Sequence, residues 1–87
     1  MHLDTHSVTY DDKVIDFSKR EFSLLLYFAQ NHTRIIPKSE LAEKVWGIYD
    51  VWENHKIVEV YIGYLRKKIP NIIETRKGYG YILNTLL

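Results

Sequence analysis

At 87 residues, with 46% hydrophobic and 14% aromatic content, the chain holds enough apolar material for one small domain and too much to stay disordered. It has no cysteine, which excludes a disulfide framework and any cysteine-based metal centre. The net charge of +1 hides a split: residues 1–55 carry six basic side chains against nine acidic ones, net −3, while residues 56–87 carry six against two, net +4. A polyanion would be drawn to the second part.

Val8-Thr9-Tyr10 and Val14-Ile15-Asp16-Phe17 read as strands around an Asp11-Asp12 turn, with Leu3-Asp4 as the remnant of an earlier strand. Ser18 stands three residues before Glu21, the spacing of a capping box at a helix start. The helix should run to about Gln30, because Phe22, Leu25 and Ala29 recur at helical spacing and Leu24 and Phe28 widen the stripe. Arg34-Ile35-Ile36 should be a short extended piece, since the following Pro37 disfavours helical backbone before it. Pro37 itself suits the first turn of a second helix. That helix carries Leu41, Val45 and Trp46 on one side and stops at Gly47. The loop from Gly47 to Glu53 holds four large apolar residues, Ile48, Tyr49, Val51 and Trp52.

A third helix is expected over 54–69. At about 100° per residue, Val58, Ile62, Leu65 and Ile69 form a narrow core-facing stripe. The opposite side carries Lys56, Val60, Gly63 and Lys67, with Tyr64 and Glu59 on its flanks. Burying those lysines would be costly, so that side should meet water or a ligand. Gly63 costs a helix interior about 1 kcal/mol relative to alanine. Either something approaches the backbone there, or the glycine is tolerated on a solvent face. Tyr61 and Tyr64 bear hydroxyls able to reach phosphates, Tyr61 equally being suited to partial core packing. Arg66 is placed to reach a phosphate or an internal carboxylate.

A β-hairpin follows over 72–84, with Arg76 and Lys77 near its tip and Gly78 and Gly80 supplying turn dihedrals closed to other residues. A helix followed by a basic hairpin can grip a duplex in adjacent grooves. Enzyme chemistry is not indicated: the four histidines are scattered, with no metal-ligand or nucleophile motif and no cofactor fingerprint. No apolar run approaches the roughly 18 residues that span a bilayer, and the start lacks a signal peptide, so a cytoplasmic location without membrane contact is expected.

Four segments in order, Phe17–Leu25, Glu40–Gly47, Val58–Ile69 and Ile73–Tyr81, give the chain a resemblance to the winged-helix effector domain of OmpR/PhoB-type bacterial response regulators. The resemblance covers nearly the whole chain. It implies an α+β winged helix-turn-helix, one domain over 1–87, with three helices, a short N-terminal antiparallel sheet and a C-terminal hairpin wing. It implies double-stranded DNA binding in transcription regulation, as the output domain of a two-component regulator. The recognition helix 54–69 would lie in the major groove and the wing at the minor groove. DNA-contacting positions of the family fall on Lys38, Trp46, Lys56, Tyr61, Lys67, Thr75, Lys77 and Tyr81, and the loop 47–53 matches a region that touches RNA polymerase in some members. In that loop, Trp52 is expected to seal the core. Members often bind direct repeats as dimers.

This chain departs from the pattern where members commonly carry arginines, at Gly63 and Tyr64, which removes guanidinium readout of guanine. Lys77 also stands where arginine is frequent. The family's first strand is cut short. A receiver domain, about 110 residues more, is expected elsewhere. Six neutralised phosphates would give a salt slope of about −5. The competing reading is a winged-helix module for protein contact, with Tyr61, Tyr64, Tyr79 and Trp52 as aromatic anchors.

Overall fold

The computed structural model describes residues 2–49 and 55–84. Strands β1 (Ser7–Tyr10) and β2 (Lys13–Asp16) pair antiparallel with Tyr10 opposite Lys13, so the connection is two residues long. Asp11 and Asp12 both take positive φ, 54° and 63°, as a tight hairpin of the twist-compatible type requires. Leu3-Asp4 is not a strand: both residues lie in a turn, closed by a bridge between His2 and Ser7.

Helix α1 (Lys19–Gln30) starts as its sequence implies. The Glu21 N–H donates to Ser18 Oγ at 3.2 Å, and the Ser18 N–H donates to Glu21 Oε1 at 2.8 Å. Phe22, Leu24, Leu25 and Phe28 are buried. Helix α2 (Lys38–Trp46) begins one residue later than the proline suggested. Pro37 keeps an extended backbone and serves as N-cap, which its ring allows and which leaves the first turn without a side-chain cap. Gly47 ends the helix in the left-handed conformation at φ 71°.

Helix α3 (Lys56–Lys68) follows His55, itself left-handed at φ 55°. Val58, Ile62, Leu65 and Ile69 are all buried, as their spacing implied, and Ile69 is the C-cap rather than a helical residue. The helix therefore starts at Lys56 and not at 54, since left-handed backbone at His55 cannot continue it; Asn54 itself, and Trp52 with the expected core seal, lie outside the described residues. Strands β3 (Ile73–Arg76) and β4 (Gly80–Leu83) pair with Arg76 opposite Gly80. The turn between them closes when Tyr79 N–H donates to the Arg76 carbonyl at 2.9 Å, and Gly78 takes φ 85°.

The three helices enclose Leu24, Leu25, Phe28, Leu41, Ile62 and Leu65. Ile36, Ile69, Ile72 and Ile73 extend that core toward the second hairpin. Ile36 also exchanges backbone hydrogen bonds with Tyr81, at 2.7 and 2.9 Å, adding an extended residue beside β4. Gly80 makes this seam possible. At φ 146°, a Cβ there would lie 2.2 Å from the Ile36 carbonyl oxygen.

Candidate nucleic-acid interface

The outward side of α3 is built by subtraction. With Val58, Ile62 and Leu65 committed to the core, Lys56, Val60 and Lys67 are exposed, and Val60 and Tyr64 keep 40% and 42% of their surface. Gly63 sits in this stripe, and apart from its chain neighbours and its own helix backbone no atom lies within 4 Å of where its Cβ would be. The helix backbone is therefore open to approach at that point.

Two flanks frame the stripe. On one, Trp46, Tyr61 and Tyr64 form an aromatic row, with ring centroids 5.2 Å apart at each step and edge-to-face angles of 71° and 64°. Arg20 anchors the row: its guanidinium lies 5.6 Å over Trp46 and donates to the Val45 carbonyl. Trp46 and Tyr61 are thus half-buried with fixed rings, while Tyr64 projects outward. The aromatic row is what makes Tyr61 serve packing and surface at once.

On the other flank, about 80° around the helix from the stripe, Arg66 and Glu59 meet the wing and the start of α2. Arg66 Nε and Nη2 donate to the Ile73 carbonyl at 3.2 and 3.0 Å, and Nη2 donates to Thr75 Oγ1 at 2.7 Å. Within the fold Arg66 thus meets a carbonyl and a hydroxyl rather than the carboxylate its position suggested. Lys38 lies 3.8 Å from Glu59, a loose pair between partly exposed groups worth about 0–1 kcal/mol and easily exchanged for a phosphate. Lys38, Thr75, Arg76, Lys77, Tyr79 and Tyr81 line one open hollow of about 360 Å³. Burial pushes the Tyr81 phenol above its ordinary pKa of 10.0, and the Glu59 charge adds to this against an opposing effect of Arg66. Tyr81 consequently stays a hydrogen-bond donor at neutral pH. Arg76 spends part of its charge on Glu74, 3.2 Å away along the same strand.

One feature escaped the sequence, and another was read from it for a different role. Lys68 belongs to the +4 segment, yet its ammonium donates to Glu21 Oε1 and to the Asp16 carbonyl, each at 2.8 Å, and lies 4.9 Å over Phe17. Burial alone would raise the Glu21 pKa, but Lys68 and the Ser18 N–H outweigh it and hold the carboxyl below its ordinary 4.5. Tyr79, named from the sequence only as an anchor for protein contact, is the second: 75% exposed at the wing tip, it walls the hollow beside Lys77. Its position between two glycines was the available signal. Lys38 and the wing residues Thr75, Arg76, Lys77 and Tyr81 share one hollow, and Trp46, Tyr61 and Tyr64 form one row beside the α3 stripe, while Arg66 and Lys68 hold the frame.

A trihelical core with an N-terminal hairpin, and a C-terminal hairpin fixed beside an uncovered helix face, defines a winged-helix DNA-binding domain. The family described as transcriptional regulatory protein, C terminal, matches residues 12–83. The response regulator MprA of Mycolicibacterium vanbaalenii is 39% identical over 84 residues, covering 91% of this chain and 36% of that protein. A streptococcal redox sensor, of a family evolved from two-component response regulators, superposes with a TM-score of 0.80 at 30% identity, over 95% of this chain and 38% of that one. The C-terminal domain of the nisin resistance regulator NsrR gives a TM-score of 0.74 at 28% identity, over 88% and 82%. The chain belongs to this family, the OmpR/PhoB-type winged-helix effector domains, DNA-binding modules of transcription regulation. It spans about a third of the length of curated relatives such as MprA.

Proposed function

We propose that the chain reads double-stranded DNA sequence-specifically as the output domain of a two-component response regulator, with a receiver domain elsewhere in the full protein and a cytoplasmic site of action. Helix α3 enters the major groove with Lys56, Val60, Gly63, Tyr64 and Lys67 foremost. The wing follows the backbone to the minor groove, led by Lys77 with Tyr79 beside it. Lys38, Trp46, Tyr61, Thr75, Arg76 and Tyr81 face the sugar-phosphate strands. A single observation supports this most: a cationic helix stripe left uncovered by the fold, open to the backbone at Gly63, with a basic hairpin moored along its flank.

Base discrimination rests on Tyr64, the lysines and DNA shape, since no arginine stands in the stripe. The loop 47–53 is a candidate RNA polymerase contact; within it Ile48 packs on the core and Tyr49 is exposed. Pairing of two copies on direct repeats would follow the family habit.

The test is selection of bound duplexes from a random pool by the purified domain, followed by a salt titration on the selected site. With Arg66 and Lys68 engaged inside the fold, five cations are proposed to meet the duplex, Lys38, Lys56, Lys67, Arg76 and Lys77, and log K should fall with log salt at a slope of about −4.5. That is shallower than the charge count alone suggested. Lys77→Ala should flatten the slope by about one unit. Recovery of no sequence, with a salt-independent affinity, would favour a protein-contact module instead.

A further inference from the structure

We infer that Arg66 is a positioning residue of the DNA grip: it sets the wing against the recognition helix and acts on DNA through Thr75, without touching phosphate itself. The proposal rests on the DNA-binding reading above. Among the described residues, two sets of hydrogen bonds moor the wing, beside the packing of Ile73, Tyr81 and Leu83 on the core. On β4, Ile36 and Tyr81 exchange backbone hydrogen bonds over Gly80. On β3, the Arg66 fork takes the Ile73 carbonyl and the Thr75 hydroxyl oxygen, with donor distances of 2.7–3.2 Å.

One of these hydrogen-bonded moorings alone would leave the outer part of the hairpin free to tilt about its apolar contacts. Two moorings on different strands fix its angle, and with it the span between helix stripe and hairpin tip. A two-groove grip needs that span set before DNA arrives, because ordering a loose wing on binding costs affinity. The chemistry at Thr75 adds to this. Its oxygen accepts from a guanidinium, so its own proton points elsewhere, and a hydroxyl polarised by a cation is a stronger donor. Thr75 is exposed on the wall of the hollow shared with Lys38 and Lys77, where a phosphate oxygen would receive that proton. A planar fork is required: lysine keeps the charge but cannot hold two acceptors in fixed directions.

The test compares Arg66→Gln, Arg66→Lys, Thr75→Val and the double variant Arg66→Gln/Thr75→Val on the selected duplex across a salt series. Arg66→Gln should weaken binding about tenfold with the slope unchanged, and Arg66→Lys should fail to rescue it. Thr75→Val should lose most of its effect in the Arg66→Gln background. Amide exchange in the unbound protein gives a readout independent of DNA: Glu74 and Tyr81 amides should lose protection in Arg66→Gln while α1 amides keep theirs. A slope reduced by about one unit, with rescue by lysine, would make Arg66 a phosphate contact and overturn the proposal. Unchanged wing protection would overturn it equally, even if the wild-type domain bound no duplex. Failure of wild-type binding alone would strike the DNA reading and not the mooring.

Discussion

The two hairpins are nearly matched in local design. Each has four-residue strands, a tight turn and positive-φ residues at the tip. Each is held by a cation from the end of α3: Lys68 reaches the Asp16 carbonyl at the end of the first hairpin, and Arg66 reaches β3 of the second. The difference lies in the tips and in what they stand beside. Asp11-Asp12 would repel a phosphate backbone, whereas Lys77 and Tyr79 share a hollow with Lys38 at the start of α2, on a hairpin whose β3 strand is held to α3 through Arg66. The same supersecondary unit thus serves as a brace at one end and a DNA wing at the other. Charge placement, not strand geometry, separates the roles.

The largest effect is expected at the seam that makes the second hairpin a wing. Gly80→Ala puts a methyl group 2.2 Å from the Ile36 carbonyl oxygen and within 3 Å of Pro37 Cα, both backbone atoms that cannot turn aside. The cost should be about 3 kcal/mol, lowering the thermal midpoint by about 12 °C or more. Gly78 supplies the contrast. Its φ of 85° is also unfavourable for alanine, but its Cβ would meet open space, so Gly78→Ala should cost only about 1–2 kcal/mol. Equal melting losses for the two variants would show that turn conformation, not the Ile36 contact, fixes the wing.

The brace should answer to pH. The folded Glu21 carboxyl is held below its ordinary 4.5, so its contribution to stability is present above that value and is lost as pH falls through the depressed folded value. Glu40 behaves likewise: Arg34 grips it at both oxygens, and Tyr27 donates to it, against a burial effect that raises its pKa. Lys68→Met should therefore cost about 1 kcal/mol at pH 7, modest because the lysine is partly exposed, and should soften the acid limb without abolishing it. Urea unfolding between pH 3 and 7 reads this directly. An acid limb identical to wild type would remove the Lys68–Glu21 pair from the account.

Helix existence, the capping box and the buried stripe of α3 were legible because they are local and periodic: Ser18, Glu21, Val58 and Ile62 announce themselves by spacing. The order of elements and the two turns were legible for the same reason. What was not legible is which cations stay outside. Arg66, Lys67 and Lys68 are consecutive and look equivalent in a charge count. Successive turns of about 100° send the first to the wing, the second to the open face and the third to Glu21. Those partners lie 7 to 52 residues away, and pairwise closure at that range is a property of packing. The Arg20–Trp46 stack and the Tyr27–Glu40–Arg34 cluster were hidden likewise.

Gly63 gives the smallest effect and the one that best separates folding from binding. In a helix interior with nothing near its Cβ, Gly63→Ala should stabilise the domain by up to about 1 kcal/mol, since alanine is the better helix former and no contact is disturbed. If the duplex approaches the helix backbone there, the same methyl group should weaken binding of the selected site. Stability and affinity would then move in opposite directions, which no loss of fold can produce. If both rose together, Gly63 would be a residue merely tolerated on an open face. The contact of α3 with DNA would then have to be carried by Lys56, Tyr64 and Lys67 at side-chain length, with the helix axis standing further from the groove floor.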